Sequence, residues 1–199
     1  MEKNKIIIRK GTNQDIDAIA NLIYCTEVHP DYVWGGESKQ ESLDNLKTLI
    51  KTKGSRYSTE YITVAVADSK VLGAMILIPY DELDRLSIKT DFKQIKKMDG
   101  FSEKFYYLIT RVKYMLFREC RRGNLYIANI ATDEKARGLG IGKKLMKYAE
   151  QVAKKEKYEG ISLLAKDEKV SKFYEKLDYD KVFDKVLLGE RIIKMAKCF

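Results

Sequence analysis

Arg137-Gly138-Leu139-Gly140-Ile141-Gly142-Lys143-Lys144-Leu145 places three of the chain's 12 glycines within five residues. The stretch joins two segments of different period. Upstream, Leu125 to Thr132 reads as a strand. Downstream, Ile141, Leu145, Tyr148, Ala149 and Val152 recur at helical spacing. Glycines at such a junction let the backbone turn tightly and approach a ligand. The first N–H groups of the helix have no partner within it, and the helix dipole adds positive potential there. The junction therefore predicts an anion site suited to phosphate or pyrophosphate. Two other phosphate loops do not fit. A P-loop ending at Gly142-Lys143 needs Gly at 137 and Ser or Thr at 144, where Arg137 and Lys144 stand. A dinucleotide fingerprint needs Gly-x-Gly-x-x-Gly, and the spacing here is Gly-x-Gly-x-Gly.

Working outward, Ile6 to Arg9 reads as a strand ended by Gly11, and Ile16, Ile19, Ala20 and Ile23 as a helix. A connection rich in aromatics, His29 to Gly36, leads to a helix marked by Leu43, Leu46 and Ile50. Tyr61–Ala67 and Val71–Ile78 read as strands around the turn Asp68-Ser69-Lys70. Residues 81–123 read as a helical insertion, with Phe105, Leu108, Ile109, Val112 and Leu116 as an apolar core stripe. After the glycine stretch and its helix come a strand, Ile161 to Ala165, and a short helix with Val170, Phe173, Tyr174 and Leu177. A closing hairpin follows, Val182–Leu188 and Arg191–Lys197. Helices between strands predict an α/β (α+β mixed) sheet, with parallel pairs where a helix intervenes. At 199 residues, with no repeat, low-complexity tract or Pro-rich linker, the chain reads as one domain over 1–199 carrying the 81–123 insertion.

Two motifs give this pattern a family likeness. Arg137-x-x-Gly140-x-Gly142 resembles the acetyl-CoA-binding motif of the GNAT N-acetyltransferase superfamily, Arg/Gln-x-x-Gly-x-Gly/Ala. Phe173-Tyr174-Glu175-Lys176-Leu177-Asp178-Tyr179 is similar to that family's Phe-Tyr-Glu-Lys-Leu-Gly-Phe segment. The motifs stand about 35 residues apart with a helix and a strand between them, and the element order from Ile6 to Lys197 also follows the family.

The resemblance implies the GNAT acyl-CoA N-acyltransferase fold and acetyl transfer from acetyl-CoA to a primary amine by direct attack on the thioester. It implies that Ile130, Ala131 and Thr132 line the pantetheine arm, with their amides near the developing oxyanion. Arg137, Gly138, Leu139, Gly140, Ile141, Gly142 and Lys143 would cradle the phosphates. Tyr174 would protonate the departing CoA thiolate: an ordinary phenol titrates near ~10 and a thiol near ~8.5. Asp167 stands where the family often has Asn, and there it can accept a hydrogen bond from CoA but donate none. Asp178 stands where the family often has Gly. The family's strand glutamate base has no counterpart, since Tyr126 occupies that position. Asn129, the one strongly polar side chain inside that strand, could order a water or bond within the sheet. His29 is the natural base near neutral pH. Glu27, Asp31, Tyr32, Trp34 and Tyr80 would border the amine acceptor.

Composition limits the alternatives. Lys and Arg total 38 against 29 acidic residues, a net charge of +9, which favours an anionic partner: nucleic acid, a membrane surface or a phosphorylated small molecule. Residues 135–157 hold eight Lys/Arg against two Glu, so much of the excess surrounds the glycine stretch. A second basic cluster in the insertion interleaves Phe105, Tyr106, Tyr107 and Tyr114 with arginines and keeps a nucleic-acid binder as the lesser alternative. A non-catalytic acetyl-CoA-binding protein of the same fold is the other. Three scattered cysteines and a single histidine argue against a disulfide framework, a metal site and a His-dependent triad. The longest apolar run, Val71–Ile78, is far short of the ~18 residues of a membrane span. No secretory signal is visible, and a cytoplasmic setting is expected. A homodimer is left open.

Overall fold

The computed structural model describes residues 5–27, 29–96, 100–102, 104–105, 107–109, 118–187 and 190–199, leaving aside the side chains of residues 31, 32, 187 and 190. In chain order the elements are β1 (Ile7–Lys10), α1 (Ile16–Tyr24), α2 (Pro30–Trp34), α3 (Lys39–Lys51), β2 (Ile62–Ala67), β3 (Lys70–Pro79), α4 (Tyr80–Ile95) and β4 (Asn124–Thr132). They continue with α5 (Ile141–Lys155), β5 (Gly160–Ala165), α6 (Glu168–Glu175), β6 (Asp180–Leu187) and β7 (Glu190–Cys198).

The seven strands form one sheet in the order β1-β2-β3-β4-β5-β7-β6. The expected parallel pairing holds for β4 and β5, which flank α5. It fails for β1–β2 and β3–β4, which are antiparallel although helices lie between them. One helix run against the sheet returns the chain to the end it left and makes the next strand parallel. Several helical segments in one connection deliver it to the other end. Asp68 and Ser69 adopt φ of 48° and 60°, the left-handed turn that closes the β2–β3 hairpin.

Strand alternation divides the core into two layers. Ile62, Val64, Ala74, Ile76, Ile78 and Tyr126 face α1, α3 and α4. Ala65, Met75, Leu77, Leu125, Ile127 and Leu163 face α5 and α6. At the start of α1, Arg9 grips Asp15 with two bonds (2.7 and 2.9 Å), and the Thr12 N–H and hydroxyl donate to the same carboxylate at 2.8 Å each.

The insertion departs from its expected packing. Val112 and Leu116 of the stripe lie outside the described residues, and Phe105, Leu108 and Ile109 are exposed. Among the described residues between 105 and 116 the buried one is Tyr107, whose hydroxyl bonds to Asp91 (2.9 Å) and Gln94. A hydroxyl that finds polar partners on α4 lets the ring bury, so the contact face is amphipathic rather than wholly apolar. The end of the insertion is anchored by Glu119, which accepts from Arg56 at 3.1 Å.

Candidate active site

β4 organises the site because its two edges are treated differently. Along β3 it is paired over its whole length, from Leu125 opposite Pro79 to Thr132 opposite Gly73. Along β5 the ladder covers only Asn124–Ile127 against Gly160–Leu163. Ala128–Thr132 therefore runs on, about 17 Å at the usual rise, without a β5 partner. The two parallel strands diverge, and this length of β4 has backbone groups free to pair with an extended ligand. Ile130, Ala131 and Thr132 lie on it and are half-buried.

The β3–β4 register shifts once, because Leu77 pairs with Ile127 while the adjacent Ile76 pairs with Asn129. Ala128 is the extra residue of a β-bulge, which reverses the facing of side chains beyond it. Ile127 points to the α5 layer and Asn129 points to the α1 layer. Asn129 Nδ2 there donates to Thr26 Oγ1 (2.9 Å) and Glu27 Oε1 (3.3 Å). The Thr26 hydroxyl spends its one proton on the Ile23 carbonyl (2.7 Å), so the group facing its oxygen must be a donor.

Beyond β4, the chain makes a short turn in which Asp133 accepts from the Lys135 N–H at 2.8 Å. The glycine stretch then rises into α5. Gly138 and Gly140 have φ of 87° and 74°, which glycine tolerates best. A Cβ on either would meet nothing within 4 Å, so both face open space. Gly140 caps α5 without a side chain, and the first turn holds no acid. The first backbone bond there runs from the Lys144 N–H to the Gly140 carbonyl (3.0 Å), leaving the amides of Ile141, Gly142 and Lys143 ahead of it. Leu139 and Lys143 are exposed, while Ile141 is buried and anchors the turn. Arg137 is exposed and paired with Glu134 at 2.9 Å.

Asp167 caps α6, accepting from the Val170 N–H at 2.7 Å, and remains exposed. Tyr174 is buried, its ring 5.3 Å from that of Phe173 and 6.1 Å from that of Tyr179. Burial pushes its phenol above the ordinary value. The Leu177 and Tyr179 N–H groups both return to the Tyr174 carbonyl, and Asp178 has φ of 63°. That left-handed position is the physical reason for glycine in the family motif.

On the acceptor side the expected residues separate. Glu27 meets Asn129 beside the bulge. His29 is exposed and precedes α2 without capping it. Asp31 and Tyr32 lie on α2, and their side chains fall outside the described residues. Trp34, expected at the acceptor surface, is a core residue. It is 2% exposed, stacked on Tyr24 (5.7 Å) and edge-on to Tyr57 (6.1 Å). Tyr80 follows Pro79 at the end of β3 remote from the glycine turn, and its hydroxyl accepts from Arg118 at 2.7 Å. The contact that sequence reading missed is Asn129 with Glu27, whose only signal was a lone polar residue in an apolar strand.

Among the described residues, no group of three or more His, Cys, Asp or Glu is placed to hold a metal, and no helix is long and apolar enough to cross a membrane. The family model of the acetyltransferase (GNAT) family matches residues 24–179. Among solved structures, the chain is similar to an N-acetyltransferase from Staphylococcus aureus Mu50, with TM-score 0.72 and 21% identity over 96% of this chain and 100% of that one. It is also similar to a polyamine N-acetyltransferase of Drosophila melanogaster, with TM-score 0.63 and 12% identity over 98% of this chain and 100% of that one. No curated protein matches it. Both motifs fall inside the matched span, and the fold is shared along nearly the whole chain: this protein belongs to the GNAT acetyltransferase family and is an acyltransferase.

Proposed function

We propose that the chain, acting as one domain over residues 1–199, transfers an acetyl group from acetyl-CoA to the primary amine of a small molecule or protein. The observation that carries this reading is the divergence of β4 from β5 beside a helix N-terminus whose glycines face open space. A pantetheine arm is extended and amide-bearing, which suits the unpaired edge of Ile130–Thr132. A pyrophosphate suits the amides of Ile141–Lys143, with Lys143 and Lys144 adding positive charge and Arg137 exchanging Glu134 for phosphate. Bound acetyl-CoA would supply the thioester-linked acetyl group.

Tyr174 serves as donor toward the departing sulfur. Its burial keeps the phenol neutral but makes it a weaker acid than a free one, so its contribution is a hydrogen bond that stabilises the thiolate. Asp167 holds the N-terminus of α6 in place with one carboxylate oxygen and offers the other to a CoA amide. The described cysteines are free, which suits a cytoplasmic setting.

Calorimetric titration with acetyl-CoA, CoA and NAD tests the reading. Binding of the first two without the third is expected, followed by amine-dependent consumption of the thioester across a panel of amines. Absence of acetyl-CoA binding would overturn it.

A further inference from the structure

We infer that Glu27 accepts the proton of the incoming amine and that Asn129 is the residue that positions it. This rests on the acyl-transfer reading above. An alkyl amine like that of lysine titrates near ~10.4 and arrives protonated at neutral pH, without the lone pair that attack requires. A carboxylate fixed beside the acyl site can take that proton.

Two residues of the α1–α2 connection are candidates, and geometry separates them. His29 is exposed and does not cap α2. Glu27 is held: both N–H groups of one amide are committed, one to Thr26 and one to Glu27. Asn129 is only 9% exposed, so that amide does not swing into water. The bulge at Ala128 is what turns Asn129 toward Glu27. It also sets Glu27 at the point where β4 parts from β5, which is where an extended ligand would end. Tyr174 belongs to the opposite layer, packed with α5. The proton acceptor and the donor to sulfur thus flank β4 from its two faces, letting the amine approach from one side and the thiol depart on the other.

The proton balance is simple. Glu27 accepts the ammonium proton and returns it to solvent. As the N–C bond forms and the C–S bond breaks, the nitrogen gives up a second proton to Glu27, which passes it to solvent, while the thiolate held by the Tyr174 hydroxyl takes one proton from solvent. One proton is released per turnover, with an N-acetyl amine and a free thiol as products.

The test compares wild type with Glu27→Gln, Glu27→Asp, Asn129→Ala and His29→Ala in kcat, amine KM, calorimetric acetyl-CoA affinity and pH profile. Glu27→Gln is expected to lower kcat roughly 100-fold or more with acetyl-CoA affinity within about twofold, and Glu27→Asp to restore part of the loss. Asn129→Ala removes a donor that favours the charged carboxylate, so the acid limb of kcat/KM moves to higher pH. A carbon-13 titration of the Glu27 carboxyl reads the same shift without any acceptor. An Asn129→Ala protein that only melts earlier, with its acid limb and carboxyl titration in place, overturns the positioning role. Loss of the acid limb in His29→Ala but not in Glu27→Gln overturns the assignment of the base. Wild-type turnover indifferent to Glu27 sinks this inference alone, whereas failure to bind acetyl-CoA sinks the acyl-transfer reading with it.

Discussion

The edge of the Phe173 ring stands 3.4 Å from the point that a Cβ on Gly142 would occupy, and Thr132 Cγ2 stands 3.9 Å from the same point. Those are ordinary contact distances, and Gly142 is not among the residues with positive φ. Gly142→Ala is therefore expected to fold normally and to keep acetyl-CoA affinity within about threefold, since a methyl there makes only van der Waals contact. Gly140→Ala differs on both counts. Its φ of 74° strains an alanine by about 1 kcal/mol, and the methyl projects into the space proposed for phosphate. At least a tenfold loss of acetyl-CoA affinity by calorimetry is expected, with a lower Tm.

Tyr174→Phe removes the hydroxyl and leaves the ring against Phe173 and Tyr179. Turnover should fall roughly 10- to 100-fold while acetyl-CoA affinity is retained. Because burial raises the phenol above its ordinary value, its proton stays on through the alkaline range. The wild-type pH profile should therefore show no alkaline limb from Tyr174 below about pH 10. Unchanged turnover in Tyr174→Phe would remove this residue from the mechanism.

Asp15 carries an acid-dependent share of the stability. The Arg9 guanidinium, with bonds from Thr12, holds its carboxyl down at about 2, against an ordinary value of 3.8. A depressed folded-state pKa contributes stability above the unfolded value and loses it as pH falls toward the folded one. Discounted for the partial exposure of Arg9, the contribution is about 1–2 kcal/mol. It is present above pH 4 and should vanish between pH 4 and 2. Urea titrations of wild type and Asp15→Asn should differ at pH 6 and converge near pH 2.

Arg56 and Glu119 form a pair 9% and 12% exposed, joining the α3–β2 connection to the end of the insertion. Burial and the charge of the same carboxylate hold the Tyr126 phenol of β4 well above its ordinary value. Glu119→Leu leaves the guanidinium buried without its partner and should cost about 3 kcal/mol or more. The double variant Arg56→Met/Glu119→Leu should recover most of that loss in denaturant titrations, because no lone charge remains.

Much of this architecture could be read from residue spacing. The glycine junction, the apolar period of α5 and the Asp68–Ser69 turn each depend on near neighbours in sequence, and each appeared where expected. What escaped depends on partners far along the chain. Trp34 is as compatible with a binding surface as with a core, and Tyr24 and Tyr57 decide for the core. The insertion's stripe has helical spacing, yet among the described residues of that stretch Tyr107 is the buried one, because Asp91 and Gln94 await its hydroxyl. Strand direction escaped as well, since the number of helical passes between strands sets it. Asn129 could be seen as odd in its strand, but its facing could not, because a bulge appears only once two strands are in register.

That bulge has a bearing on how this chain tolerates change in length. Ala128 acts as a phase shift in a two-beat pattern: upstream the odd positions Leu125 and Ile127 address one layer, and downstream the even position Ile130 addresses it. Losing this single alanine would cancel the shift: Ile127 and Asn129 would become neighbours opposite Leu77 and Ile76, an unbroken ladder in which every side chain keeps its face. Losing a residue at Ile130 or Ala131 has no such remedy, and each side chain beyond it would trade faces. Ala128 is thus the one position of β4 where the strand can shorten by a residue without readdressing the rest, with loss of the local bend alone.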